Sequence, residues 1–453
     1  DESQKICGKD PDFQRRDLWE SIERGDFPEW ELGLQIVEEK DEFNFDFDLL
    51  DPTKIIPEEL VPVRRVGRMV LNRNPDNFFA ETEQVAFCTA HIVPGIDFSN
   101  DPLLAGRIHS YVDTQISRLG GPNFHEIPIN APVAQVHNNQ RDGMHRQAIN
   151  RGRVAYEPNS LGGGCPFQAG TAGFMSFPQP VEEHKVRGKP EKFAEHYNQA
   201  TLFWNSQSEV EKTHIVRAYR FELTKVQTSA VRRRVVAQLR NVAEDLAQRV
   251  AEGLGMADLP DPLPKPLERT PRPEVKVSEA LSLLARPGKT GVTTRRIAIL
   301  VADGVDGESA RIVHEELMAQ GAVPRFVGIH LGEAQSTTGD PVPVEITLET
   351  APAVVFDAMV VPDGEAATRV LAQTGQAMEF LKDQYRHCKP ILVMGTAAQL
   401  LDKGGLPATL PNGEADSALL RFDGADPKEA LRAFAQAVAG HRNFARETDP
   451  PVV

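Results

Sequence analysis

Pro102-Leu103-Leu104-Ala105-Gly106-Arg107-Ile108-His109-Ser110-Tyr111-Val112-Asp113-Thr114-Gln115-Ile116-Ser117-Arg118-Leu119-Gly120 reads as one helix with two stripes. Asp101 ahead of Pro102 is an N-cap signal with proline in the first turn, and Gly120-Gly121-Pro122 is a stop. Arg107, Tyr111, Thr114, Gln115 and Arg118 recur at helical spacing as a polar stripe. Ile108, Val112, Ile116 and Leu119 recur one residue later as an apolar stripe beside it. A tyrosine bracketed by two arginines is placed to ionise, because a neighbouring guanidinium favours the charged form. A buried neutral tyrosine hydrogen-bonded to arginine is the plainer alternative for such a pair.

The words around Tyr111 carry more than the spacing does. Gly106-Arg107-Ile108-His109-Ser110-Tyr111-Val112-Asp113-Thr114-Gln115 resembles the proximal haem-ligand signature of haem catalases, and Arg118-Leu119-Gly120-Gly121-Pro122-Asn123-Phe124 continues the resemblance. Asn74-Pro75-Asp76-Asn77-Phe78-Phe79-Ala80-Glu81-Thr82-Glu83-Gln84-Val85-Ala86-Phe87 and His91-Ile92-Val93-Pro94-Gly95-Ile96 resemble catalase segments that lead to the ligand helix. His137-Asn138-Asn139-Gln140-Arg141-Asp142-Gly143 resembles a catalase loop downstream of it.

Composition sets the outer limits. A chain of 453 residues is too long for one core and predicts two or three domains. The apolar and charged fractions, 40% and 25%, are those of a globular protein, and the apolar runs are too short for a membrane-spanning helix. Net charge is −15, and Arg232-Arg233-Arg234 reads as the solvated face of a helix, so nucleic-acid binding is disfavoured. Cys7, Cys88, Cys165 and Cys388 show no metal-like or disulfide-framework spacing, which leaves the compartment, cytoplasmic or secreted, open. The opening Asp1-Glu2-Ser3-Gln4-Lys5 is neither a signal nor a transit peptide and lacks an initiator Met, which predicts a start further upstream.

Five stretches follow along the chain. Residues 1–60 carry a short helical pattern around Asp17–Ile22. Two period-two runs come after it, Trp30, Leu32, Leu34, Ile36 and then Phe43, Phe45, Phe47, Leu49, which predict half-buried antiparallel strands. Residues 61–182 are rich in Pro, Asn and Gly and predict a wrapping region around the ligand helix at about 102–120. Residues 183–256 predict helices: a capping box at Ser206-Gln207-Ser208-Glu209, one apolar face on Ile215, Tyr219, Leu223 and Val226, and another on Val235, Leu239, Val242, Leu246, Val250 and Leu254, stopping at Gly255. Residues 257–295, with Pro260, Pro262, Pro264, Pro266, Pro271 and Pro273, predict an extended tether. Residues 296–453 alternate strand and helix: residues 296–301 read as the continuous apolar strand that a two-sided buried parallel sheet requires, and residues 356–364 and 389–395 read as two more strand-to-loop units.

The last stretch predicts a doubly wound, flavodoxin-like sheet. It resembles the class I glutamine amidotransferase-like domain at the C-terminus of large-subunit catalases. Such enzymes place a nucleophilic Cys at the turn after a strand. Met394, Gly395 and Thr396 stand at that turn, and Cys388 comes too early, so the domain is expected to be non-catalytic. The fold expected for the whole is α+β: the remainder of a catalase β-barrel, a wrapping region and a helical region, followed by the α/β domain.

The resemblance implies a haem enzyme, with haem in its b or oxidised d form, that dismutes hydrogen peroxide to water and dioxygen as a homotetramer. Tyr111 maps to the axial ligand of the haem iron and Arg107 to the group that keeps it ionised. Arg118 maps to a second haem-side arginine, and Ser110, Thr114, Gln115 and Phe87 to haem-edge contacts. Cys88, 23 residues before Tyr111, stands where some large catalases carry a side chain bonded to the β-carbon of the ligand tyrosine. A Cys88–Tyr111 thioether and a small buried cysteine are both open on this evidence. His91, His109, His125, His137 and His145 read as structural histidines.

The family's distal His and Asn have no matching segment in these residues. The chain is therefore expected to supply the proximal side of the site, with an upstream catalase segment carrying the distal groups, and to be inactive by itself. The competing class is a scaffold or chaperone-like binding protein whose haem pocket is vestigial.

Overall fold

The computed structural model describes residues 2–133, 141–151, 153, 175–180, 182, 184, 186–188, 190–267, 273–286, 290–424 and 426–453. His137 to Gln140, Cys165 and Pro271 lie outside the described residues. The chain divides into two compact units, residues 29–282 and residues 1–28 with 283–453. Helices α1 (Glu2–Lys9) and α2 (Phe13–Glu23) thus belong with the C-terminal sheet, not with the strands that follow them.

In the 29–282 unit, strand β1 (Glu29–Leu34) pairs antiparallel with β2 (Arg64–Val70), with a register shift between Leu32 and Gly33. A Cβ on Gly33 would come within 2.4 Å of Val63, so this position takes only glycine. Ion pairs cross the ribbon from Glu31 to Arg65 at 3.0 Å and from Glu29 to Arg68 at 3.4 Å. Two expectations fail here. The run from Phe43 to Leu49 is not a strand. Its acidic residues bond nearby backbone instead: Asp48 takes the Leu50 N–H and Asp51 the Thr53 N–H, both at 2.9 Å. Local side-chain bonds of this kind compete with a ladder and here outrun the period-two pattern. The ribbon also buries neither face: every residue of β1 and all of β2 except Val70 are exposed.

Helix α3 (Pro102–Leu119) keeps its expected bounds. The Asp101 carboxylate accepts the Leu103 N–H at 2.9 Å, and Gly120 ends the helix in the left-handed region at φ 87°. The turn at Met144 and His145 packs on this stop, so a Cβ on Gly121 would meet Met144 at 3.0 Å.

Helices α4 (Asn198–Ser206), α5 (Glu209–Thr224), α6 (Ser229–Leu239) and α7 (Glu244–Gly253) enclose a core of Trp204, Val216, Leu223, Val236, Leu239, Leu246 and Val250. The capping box lies two residues later than expected, on Ser208 and Glu211. Ser206 instead closes α4, its Oγ donating to the Leu202 carbonyl at 2.6 Å. The buried face of α5 carries Val216 and Leu223, while Tyr219 stays exposed. The proline-rich tether is packed rather than extended over its first part. Arg240 donates to the Pro260 carbonyl and Asn241 to that of Leu263, each at 2.8 Å, and Ser278 is buried. Side chains from the helices satisfy the carbonyls that the prolines leave without ladder partners.

The second unit is built on a parallel sheet. Its strands are β3 (Arg296–Leu300), β4 (Val323–Gly328), β7 (Ile346–Thr347), β8 (Ala358–Val361), β9 (Ile391–Met394) and β10 (Leu419–Phe422), in the order β10-β9-β8-β3-β4-β7. A small hairpin, β5 (Gly332–Ala334) with β6 (Val342–Val344), stands apart from it. Ile297, Ile299, Met359, Val360, Ile391 and Leu392 have no exposed surface, as strands covered on both faces require. Helices α8 (Gly307–Ala319), α9 (Glu365–Gln373), α10 (Gly375–Arg386), α11 (Gln399–Gly404) and α12 (Pro427–Ala439) complete the crossovers, and α12 packs on α8.

Helix α1 is held to this unit by charge. Glu2 meets Lys389 at 2.6 Å and Arg442 at 2.9 Å, and Lys5 meets Asp383 at 2.6 Å. Burial pushes the Glu2 carboxyl up, but Lys389 and Arg442 outweigh it and lower it to about 2 from an ordinary 4.5. A depressed carboxylate stabilises the folded form fully above its ordinary pKa and loses that effect as pH falls through the folded value. Docking of α1 is therefore expected at full strength above about pH 4.5 and to weaken steadily toward about pH 2. Amide exchange of residues 2–9 across an acid titration measures this. Protection that does not change over that window would refute it.

Candidate functional site

Helix α3 places Tyr111 half-buried, with Arg107 one turn before it. The Arg107 Nη2 donates to Tyr111 Oη at 3.1 Å, and its guanidinium carbon lies 5.0 Å from the ring centroid. The Phe87 ring stands edge-on to Tyr111, centroids 6.3 Å apart and planes at 74°. Ser110 and Thr114 are exposed, and so is Phe87 at 68%. A phenol with a guanidinium on its oxygen is thus bordered by an open face carrying an aromatic ring and two hydroxyls.

Two members of the polar stripe do something the sequence does not predict. Arg118 turns away from the phenol and donates to the carbonyls of Glu83 at 2.8 Å and Val85 at 2.7 Å. Gln115 is buried and donates to the Phe87 carbonyl. Both hold the backbone of residues 83–87 against the helix, and so set where Phe87 and the next residue, Cys88, stand. The structure separates the two arginines: both are exposed, Arg107 bonds the phenol and Arg118 bonds backbone carbonyls. The reason is local. The carbonyls of a segment without strand partners need donors, and Arg118 reaches two of them.

Asn130 completes this strap and went unnoticed in the sequence. Its Oδ1 accepts the Ala86 N–H, and its Nδ2 donates to the carbonyls of Gln84 and Phe124. The only sequence signal is an Asn between the Pro128 turn and Ala131. Asn123 has no exposed surface and plays the same part for the carbonyls of Asp142 and Met144.

Cys88 is a half-buried free thiol. His91 stacks on Phe124 at 5.7 Å with His125 edge-on to it, and burial, helped by His125, holds its imidazole below the ordinary value. His109 is exposed on another face of α3, and His145 lies in a turn at φ 64° beside Gly120.

The residues suit a haem in two respects. The phenol oxygen, of a kind that ligates haem iron, carries the Arg107 guanidinium as hydrogen-bond donor. The buried Gln115 Oε1 accepts no hydrogen bond among the described residues. Among the described residues no group of three or more His, Cys, Asp or Glu side chains is arranged to hold a metal ion.

Comparison with known proteins then shows what the chain is similar to. Residues 1–163 match the catalase model, residues 190–254 the catalase-related immune-responsive model, and residues 293–446 the C-terminal domain found in long catalases. The chain is 51% identical to Catalase HPII of Pseudomonas putida over 99% of its own length and 61% of that protein's. It is 46% identical to Catalase-2 of Bacillus subtilis strain 168 over 98% of its length and 63% of the relative's, and 44% identical to Catalase-B of Dictyostelium discoideum over 99% and 64%. The chain thus spans less than two thirds of these catalases.

In the C-terminal unit, the turn after β9 carries Gly395 and Thr396 and no cysteine. Asp363 Oδ1 accepts the Thr396 hydroxyl at 2.6 Å, the Thr396 N–H at 2.8 Å and the Gly364 N–H at 2.7 Å. Burial raises this carboxyl, and those donors outweigh it and hold it below the ordinary value. A Cβ on Gly395, at φ 53°, would lie 2.2 Å from the carboxylate. The turn is therefore closed by a structural staple. Cys388 is buried ahead of the strand, and burial pushes its thiol up to about 11, far from a reactive thiolate. No helix among the described residues is long and apolar enough to cross a membrane.

Proposed function

We propose that this chain supplies the proximal haem side of a catalase that dismutes hydrogen peroxide to water and dioxygen. The observation that carries the reading is the Arg107–Tyr111 hydrogen bond on a helix of the catalase-family region. The relatives' printed names support it. When bound, the haem supplies the redox chemistry, in its b or oxidised d form.

The chain's own residues do the rest. Tyr111 would hold the haem iron through its side-chain oxygen. Arg107 orients that oxygen by donating a hydrogen bond to it. Gln115, Arg118 and Asn130 act one step back, fixing residues 83–87 so that Phe87 lies against the ligand ring. Ser110 and Thr114 line the open face. The groups that orient peroxide and move its proton, a distal His and Asn, come on this reading from an upstream catalase segment, so the chain alone binds haem without turning over peroxide. The assembly is read as a homotetramer.

Cys88 is the residue for a covalent link to Tyr111. Joining its sulfur to the tyrosine β-carbon removes one hydrogen from each, and one hydrogen peroxide accepts both to leave two waters. The C-terminal unit is read as a flavodoxin-like, amidotransferase-like domain without a nucleophile. Setting aside the two-residue edge strand β7, its strands follow the order 2-1-3-4-5, which supports that reading.

Titrating the chain with ferric haem tests the proposal. Saturation near one haem per chain, with a tyrosinate-ligated absorption spectrum and no peroxide turnover, is expected. A tryptic map of the same sample after peroxide treatment then shows whether the Cys88 and Tyr111 peptides are joined. Failure to bind haem would favour the scaffold class.

A further inference from the structure

Lys389 is an unusual lysine. Only 3% of it is exposed, and its ammonium donates to the carbonyls of Phe356 at 2.7 Å, Val354 at 3.2 Å and Ala353 at 3.4 Å. A charge this deep is costly unless an anion faces it. That anion is the Glu2 carboxylate, and Arg442 shares it: Oε1 lies 2.6 Å from Lys389 Nζ, and Oε2 lies 2.9 Å from Arg442 Nη1. Arg442 is itself anchored, donating to the His387 carbonyl at 2.9 Å. Each cation thus reads one oxygen of a planar carboxylate, a match that a spherical anion does not reproduce.

Beyond these two cations α1 is held by the Lys5–Asp383 pair, and none of its residues is fully buried, so little apolar burial keeps Glu2 in place. A cavity of about 390 Å³ adjoins the site through Ala353, with Leu348, Pro352 and Phe380 on its apolar side and Lys5 and Asp383 at its polar edge. It has room for the tail of a carboxylic acid larger than acetate. Withdrawal of Glu2 would leave Lys389 and Arg442 without the carboxylate that bridges them.

We propose that Lys389 and Arg442 form a carboxylate-binding site of the C-terminal unit, filled here by the side chain of Glu2 and open to a small free monocarboxylate when that side chain is withdrawn. The site is independent of the haem reading and of Tyr111.

The test is chemical rescue in the full chain. Glu2→Ala empties the site without touching its walls. Sodium acetate, at several times its dissociation constant, is expected to raise the calorimetric melting midpoint of the C-terminal unit in Glu2→Ala by about 2–4 °C beyond the effect of equal sodium chloride. The unmodified chain, whose site is filled, is expected to show no such excess. Adding Arg442→Gln to Glu2→Ala is expected to abolish the rescue. Lys389 is left intact because its loss could unfold the unit. An acetate effect no larger than chloride, equal in the unmodified chain, or retained in the double variant would overturn the proposal.

Discussion

Tyr111→Phe is expected to abolish stable haem binding, whereas Arg107→Leu is expected to weaken it by about 10–100-fold. The two effects differ because the residues stand at different distances from the iron in the proposed reading. Phe keeps the ring, its edge contact with Phe87 and the helix, and removes only the oxygen that Arg107 now bonds at 3.1 Å. A purely structural tyrosine would tolerate that exchange, since its side chain is already half in solvent. Leu at position 107 leaves the oxygen but removes the guanidinium donor that orients it, so ligation persists at reduced affinity. The discriminating readout is haem affinity by absorbance titration. Arg107→Leu is expected to saturate at higher haem concentration, and Tyr111→Phe to bind poorly at every concentration. Equal haem retention by the Phe variant would remove Tyr111 from the ligand role.

The second large effect is expected at Asp416. Its carboxylate lies 2.5 Å from Arg446 Nε, and both side chains are almost wholly buried, at 2% and 1% exposure. Asp416 also accepts from Asn443 at 2.8 Å and from the Ala418 N–H at 3.0 Å. Arg446 in turn donates to the Lys389 carbonyl at 2.6 Å and lies over the Tyr385 ring. Asp416→Ala removes the anion and strands a guanidinium in the core, which costs about 3–5 kcal/mol. For a unit of this size that lowers the melting midpoint by about 10 °C. Asp416→Leu with Arg446→Met removes both charges and is expected to recover much of the loss. Calorimetry on the three chains reads both numbers. A single variant that melts within 2 °C of the parent would show that solvent reaches the pair.

Much of this molecule was legible because its signals are local. Helix α3 declares its start with Asp101-Pro102 and its end with Gly120, and the cap needs only a residue two places away. The strand residues 297–300, 358–361 and 391–394 are apolar without interruption, as two-sided burial requires. The failures are equally physical. Ser206 and Ser208 each stand three residues before a glutamate, so the sequence offers two capping boxes, and the end of α4 selects the second. Strand β2 is rich in arginine and finds its partner through cross-strand charge rather than through a buried face. The work of Arg118 was hidden because its partners are backbone carbonyls 33 and 35 positions away, and a carbonyl has no letter in the sequence.

The β1–β2 ribbon carries one more consequence. Among the described residues it has no third strand, so both of its outer edges offer unpaired backbone to any extended chain that meets them, while Trp30, Leu32 and Met69 offer apolar surface beside those edges. What guards it is charge. Arg65 and Arg68 on β2 pair with Glu31 and Glu29 on β1, and a second ribbon laid like edge to like edge would bring like charges together. Salt screens that repulsion over about 10 Å at 0.1 M. Charge thus guards the ribbon against like-edge pairing most strongly in dilute buffer and least in brine.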